Sequence, residues 1–392
     1  VNSDKPASSA PVLSACDISV LAAPGVRQLN PYLPGKPISE LEREYGVSNI
    51  IKLASNENPL GTSPAALAAM ATELSKLSLY PDGGGFELKR ALSLHHDCDP
   101  SGITLGNGSN DVLVLIAEAF LQPGLEAIYS QYCFAVYPIA VEAAGAKGKM
   151  SLALPADSAQ ALGHDLSAMS ELIGPQTRII FIANPNNPTG SWVGNDDLHA
   201  FISRVPRDVL LVIDEAYFEY SRPLELPDAT QWLSDYPNLI VTRTFSKVYG
   251  LAGIRVGYSL SSPDIADMLN RIRQPFNVNS LALTGAVAAL ADDEFVKRSV
   301  ATNSAGLQQL QDGLRDLGLC GIPSAGNFIL ADFRQASGPV YEALLKAGII
   351  VRPVANYGLP NHLRITVGSA SQNEKLLDEL AIILPAGQNS SV

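Results

Sequence analysis

Apolar residues along this chain gather into short, nearly unbroken runs at 103–105, 127–129, 178–183, 209–213, 239–241 and 254–259. Runs that are apolar at consecutive positions suit strands covered on both faces. Helical spacing fills 64–75, 86–95 and 111–121, and helical stretches recur between several of the strand runs. The alternation predicts an α/β fold with a mostly parallel central sheet covered by helices. Beyond 275 the tempo changes. Helical patterns cover 280–318, strand-like runs fall at 328–331, 349–351 and 363–367, and a last helix covers 371–384. This predicts a second, smaller α+β domain.

The ends and borders follow from composition. Residues 1–24 are rich in Ser, Ala and Pro and suit a mobile arm. Residues 25–60 carry Pro31, Pro34, Pro37 and Pro59, which suits an extended segment packed on the small domain and the site. The large domain is then expected over 61–280 and the small one over 281–392. A chain of 392 residues has room for two or three domains at roughly 150 residues each.

Charge narrows the function. Lys and Arg number 27 and Asp and Glu 39, a net charge of −12. That balance disfavours nucleic acid and anionic membrane surfaces, so an anionic ligand must be held by a few placed groups. Cys16, Cys98, Cys133 and Cys320 are scattered without a C-x-x-C pair, which suits small core residues in a reducing compartment. His95 and His96 are adjacent and His164, His199 and His362 stand alone, so no metal site is expected. No apolar run is long enough to span a membrane, and the N-terminus lacks the basic and apolar regions of a signal peptide. A cytoplasmic protein is expected.

Four groups of unusual residues fall at expected strand ends, where ligands sit in open α/β sheets. Gly106-Asn107-Gly108-Ser109-Asn110-Asp111 follows a strand and opens a helix, which suits either a phosphate cradle or a plain tight turn. Asn184-Pro185-Asn186-Asn187-Pro188-Thr189-Gly190 is a rigid turn with three amide side chains. Asp214-Glu215-Ala216-Tyr217 closes an apolar strand, and a carboxylate there needs a partner or serves as a helix cap. Thr244-Phe245-Ser246-Lys247 places an amine after another apolar strand, with Arg255 eight residues on. A desolvated lysine has a lowered pKa and acts as a nucleophile. Pyridoxal phosphate needs this set: an amine for its aldehyde, an acid for its ring nitrogen and a cradle for its phosphate.

On these residues the chain resembles the fold-type I pyridoxal-phosphate aminotransferases, and within them the histidinol-phosphate aminotransferase branch. Lys52-Leu53-Ala54-Ser55-Asn56-Glu57-Asn58-Pro59-Leu60-Gly61, Tyr80-Pro81-Asp82-Gly83 and Leu363-Arg364-Ile365-Thr366-Val367-Gly368 extend the resemblance to nearly the whole chain. It implies Lys247 as Schiff-base lysine and proton shuttle, and Asp214 as partner of the ring nitrogen. It implies Asn187 and Tyr217 at the ring hydroxyl, and Ser109, Asn110, Ser246 and Arg255 at the phosphate. Phe134 is implied as the ring-stacking residue, with Tyr132 as the alternative. Arg364 resembles the arginine that takes a substrate carboxylate. Arg352 is a candidate for a second anionic group or a structural ion pair, and Tyr32 and Asn56 are candidates for the substrate wall. Tyr80 is implied to reach the cofactor phosphate of the other subunit in a homodimer.

The reaction so implied moves an amino group between glutamate/2-oxoglutarate and histidinol phosphate/imidazole-acetol phosphate, in histidine biosynthesis. An aromatic amino acid aminotransferase and a threonine-phosphate decarboxylase-like enzyme share the pattern. A non-catalytic binding or regulatory module is disfavoured by the intact Lys247, Asp214 and Arg255 set. No Rossmann fingerprint supports a nicotinamide enzyme.

Overall fold

A computed structural model of the protein describes residues 18–31 and 34–384. The expected arm therefore lies mostly outside the described residues, as do Cys16 and Tyr32. A seven-stranded sheet runs in the order Ile103–Gly106, Gly257–Ser261, Leu239–Thr244, Leu210–Asp214, Thr177–Ala183, Glu126–Ser130, Lys147–Ser151. The pairs from Leu239–Thr244 to Lys147–Ser151 are parallel, and Gly257–Ser261 is antiparallel to both neighbours.

Alternate residues of the central strands enter opposite cores. Ile179, Phe181, Val212 and Ile240 pack with helices Ser109–Phe120 and Val136–Ala143 on one face. Ile180, Ile182, Leu211, Ile213 and Val241 pack with helix Asn195–Arg204 on the other. The side-chain period of two divides one apolar run between two helical layers. That is why these strands show no polar alternation in sequence.

Three differences from the sequence pattern have plain causes. Lys147–Ser151 forms an unforeseen edge strand, because one pairing edge and mostly solvated side chains leave no apolar run to see. The run 254–259 does not begin as a strand. Ala252–Ile254 is a 3-10 turn, Arg255 takes φ 59°, and the strand starts at Gly257. Cys320 is exposed, unlike buried Cys133, since it begins a strand at the margin of the smaller sheet.

The smaller unit is a four-stranded antiparallel sheet in the order Arg352–Pro353, His362–Thr366, Phe328–Asp332, Cys320–Ile322. Helix Ser280–Leu290 precedes it and packs through Ala282, Ala286 and Ala289 into the large-domain cluster with Leu88 and Leu105. Small residues make this approach to helix Pro64–Glu73 possible: a Cβ on Gly285 would stand 2.9 Å from Met70. Helix Asp293–Asp316 spans both cores, with Val296 in the large-domain cluster and Leu310 and Leu314 in the small-domain one.

Ile51–Lys52 pairs in parallel with Ile349–Ile350, and the Thr366 N–H donates to Leu53 O at 2.9 Å. The small domain thereby holds residues 51–56 as a strap that runs into the cavity between the two units.

Candidate active site

One cavity collects most of the singled-out residues. Its lining includes Asn56, Ser109, Asn110, Phe134, Asn187, Asp214, Tyr217, Ser246, Lys247, Arg255, Arg352 and Arg364. Strand ends account for the convergence: Asp214 and Thr244 finish neighbouring parallel strands, and the loops after them carry Tyr217, Ser246 and Lys247. Such ends leave the sheet at one edge, where the helices that cover its faces stop.

Asp214 is 4% exposed. Burial pushes its pKa up, opposed by hydrogen bonds from Tyr137, Thr242 and the Ala216 amide and by nearby Lys247. Tyr137 donates its phenol hydrogen to Oδ2 at 2.8 Å, and Thr242 donates to Oδ1 at 2.9 Å. Three neutral donors thus hold an acid that also lines the cavity. Its neighbour Glu215 points away and takes two bonds from Arg243, which also reaches Asp228 at 2.7 Å. Glu215 thus has its cation behind the site.

Lys247 reaches Ser55 O at 3.3 Å. Loss of water lowers its pKa to about 7, helped by Arg364 and Arg255 and opposed by Glu57 and Asp214. At neutral pH a large share of this amine is unprotonated and nucleophilic.

Several hydrogen-bond donors converge at the turn 106–111. Ser109 and Asn110 form the first turn of helix Ser109–Phe120, whose free amides favour an anion. Arg255 Nη1 donates to Ser246 Oγ at 3.1 Å. A Cβ on Gly108 would stand 2.2 Å from Arg255 Nη2, and one on Gly257 would stand 2.3 Å from the Ser109 nitrogen. Only bare backbone lets these donors meet at one place.

Arg364 Nη1 donates to Asn187 Oδ1 at 2.5 Å and Nη2 donates to Ala54 O at 2.7 Å. Bonding through Oδ1 leaves the Asn187 amide hydrogens for other acceptors. Asn56 Nδ2 donates to the Tyr217 hydroxyl at 2.8 Å. Phe134 lines the cavity and meets Tyr137 edge-on, with ring centroids 5.9 Å apart. Tyr132 instead packs in a cluster with Leu162, Ile322 and Leu330, and its carbonyl accepts from Asn186. Tyr80 is 83% exposed and stacks on Phe276 at 4.7 Å, away from this chain's cavity lining.

Sequence reasoning missed Tyr137, Thr242 and the strap carbonyls. Thr242 left a faint signal as a polar residue in an apolar strand, and the register sets it beside Asp214. Tyr137 left none, because a fully buried tyrosine in an apolar helix reads as core. Among the described residues no cluster of His, Cys, Asp or Glu could hold a metal ion, and no helix is long and apolar enough to cross a membrane.

The fold and this site define a class. The family model "Aminotransferase class I and II" matches residues 48–380, and the chain belongs to that family. It is 55% identical over 370 residues to histidinol-phosphate aminotransferase 2 of Pseudomonas aeruginosa, covering 94% of this chain and 99% of that one. It is 56% identical over 355 residues to histidinol-phosphate aminotransferase 2 of Methylococcus capsulatus, covering 91% and 96%. The crystal structure of histidinol-phosphate aminotransferase from Sinorhizobium meliloti in complex with pyridoxal-5'-phosphate matches with a TM-score of 0.84 at 29% identity, covering 92% of this chain and 96% of that one.

Proposed function

We propose that the protein is a pyridoxal-phosphate-dependent transaminase that exchanges an amino group between histidinol phosphate and 2-oxoglutarate, a step of histidine biosynthesis. The carrying observation is that Lys247, Asp214 and the arginines Arg352 and Arg364 line one cavity. The identity to the named relatives supports the substrate.

The residues fit the cofactor. A buried acid, an amine with lowered pKa and a glycine-made anion cradle stand around one space. Bound there, pyridoxal 5'-phosphate supplies an aldehyde that takes up amino groups and a ring that withdraws electrons from the carbon losing its proton. Asp214 holds a proton at the ring nitrogen. Lys247 Nζ would move the proton at the reacting carbon, as base and then acid. Asn187 and Tyr217 would hold the ring hydroxyl, and Phe134 would pack against the ring. Ser109, Asn110, Ser246 and Arg255 would hold the phosphate. Arg364 takes the glutamate carboxylate, and Arg352 adds a second cation for the phosphate ester.

The same reading makes the protein a cytoplasmic homodimer. Leu74, Leu77, Leu79, Tyr80, Phe86 and Phe276 are all exposed. So much apolar surface in neighbouring segments suits a face covered by a second copy. Tyr80 belongs to it and would complete the partner's phosphate site.

Turnover of histidinol phosphate against phenylalanine tests the substrate, each with 2-oxoglutarate as acceptor. Preference for histidinol phosphate is expected. Preference for phenylalanine would make the protein an aromatic amino acid aminotransferase, and loss of carbon dioxide from threonine phosphate would make it a decarboxylase.

A further inference from the structure

The strap at residues 54–56 touches three groups of the site at once. Ala54 O accepts from Arg364, Ser55 O accepts from Lys247, and the Asn56 side chain meets Tyr217. Asn56 is 1% exposed and takes φ 55°, a left-handed conformation that asparagine tolerates better than most residues.

Asn56 is clamped from the small domain. Its backbone N–H donates to Thr366 Oγ1 at 3.0 Å, the Thr366 hydroxyl donates to Asn56 Oδ1 at 3.1 Å, and Asn327 Nδ2 donates to Asn56 O at 2.9 Å. Thr366 is two residues beyond Arg364 on the same strand. With Oδ1 committed to Thr366, Nδ2 faces Tyr217, across the cavity on the large domain. The reverse amide orientation would leave the buried Thr366 hydroxyl hydrogen without the acceptor it has here.

An amide nitrogen offers only hydrogens, so the Tyr217 oxygen must accept. Its own single hydrogen is then free for the cavity. We propose that Asn56 is a positioning residue that fixes the direction of the Tyr217 hydroxyl and ties that direction to the strand carrying Arg364. Resting on the function proposed above, this gives Asn56 a task distinct from the substrate wall: it keeps Tyr217 a donor toward the cofactor ring hydroxyl. Burial raises the Tyr217 phenol to about 12, so the group stays protonated and able to donate.

The test is a double-mutant cycle of Asn56→Gly with Tyr217→Phe. Glycine removes the amide and accepts the left-handed backbone. The readouts are the dissociation constant of pyridoxal phosphate from the apoprotein and the pH midpoint of the bound cofactor's absorbance. Asn56→Gly is expected to weaken retention by about fivefold, the size of one neutral hydrogen bond. In the Tyr217→Phe background the same substitution is expected to change it by less than about twofold. An equal loss in both backgrounds, or no shift of the midpoint, overturns the proposal. Thr366→Val, which keeps its shape, repeats the cycle if Asn56→Gly does not fold, with the same coupling expected. Wild-type turnover separates the two claims. A wild type that binds cofactor but leaves histidinol phosphate unreacted defeats the proposed substrate, while the Asn56–Tyr217 coupling is still read from retention.

Discussion

Arg352 and Arg364 stand directly opposite each other on neighbouring antiparallel strands, and each is 8% exposed. Like charges so placed repel, and an anion bound beside them would offset that repulsion. Arg364→Lys is expected to raise the KM for glutamate by about tenfold or more, because lysine cannot reproduce the planar fork. Arg352→Gln is expected to weaken histidinol phosphate more than glutamate. Steady-state kinetics with both substrates checks the division, and equal effects of both variants on both substrates would reject it.

Lys247 sets a pH dependence for cofactor capture. With its pKa lowered to about 7, uptake of pyridoxal phosphate by the apoprotein should accelerate as pH rises through 7 and then level off. Stopped-flow absorbance measures this, and borohydride reduction with peptide mapping should place the label on Lys247. The same shift acts on folding. Between about 7 and 10.5 the unfolded lysine binds more protons than the folded one, so the Lys247 contribution to apoprotein stability should rise with pH across that window. Lys247→Met should remove that contribution and all transamination.

Tyr137→Phe tests the holder of Asp214. Losing this donor leaves desolvation less opposed, so the Asp214 pKa should rise further. The acid limb of the kcat profile should then move to higher pH. Asp214→Ala should lose nearly all turnover at every pH with modest loss of folding. A Tyr137→Phe profile that overlies the wild type would show that Thr242 and the Ala216 amide suffice.

Tyr80 supplies the test of a shared site. Assayed at pyridoxal phosphate too dilute to load Tyr80→Ala chains, a mixture of Tyr80→Ala and Lys247→Ala chains should recover activity on subunit exchange. In the mixed dimer one site carries both defects and the other neither. Loss of the phenol in Tyr80→Ala should weaken cofactor retention by about 1–2 kcal/mol. No recovery after proven exchange would place Tyr80 outside the site.

The sequence by itself determined the α/β class and the order of most elements. Each buried strand of the sheet needs an apolar run, and each helix needs a 3.6-residue stripe. It also singled out Asp214 and Lys247 as candidates, because an ionisable group at or just past the end of an apolar strand is conspicuous against its neighbours, and Arg255 by its spacing of eight residues from Lys247. Tertiary structure alone decided what those groups face. Tyr137, 77 residues before Asp214 along the chain, reaches it only because helix Val136–Ala143 packs on the same sheet face as Phe181. Asn56 looks like a turn asparagine until the strap pairing with Ile349–Ile350 sets it against Tyr217, 161 residues on. Phe134 and Tyr132 are two aromatics in one short segment, and the direction of the chain after Ser130 sends one to the cavity and the other to the small-domain cluster. Local propensity reports how a residue suits its own helix or strand. Hydrogen-bond direction, desolvation and the opposition of two arginines arise between distant segments, and the packing of the two domains creates them.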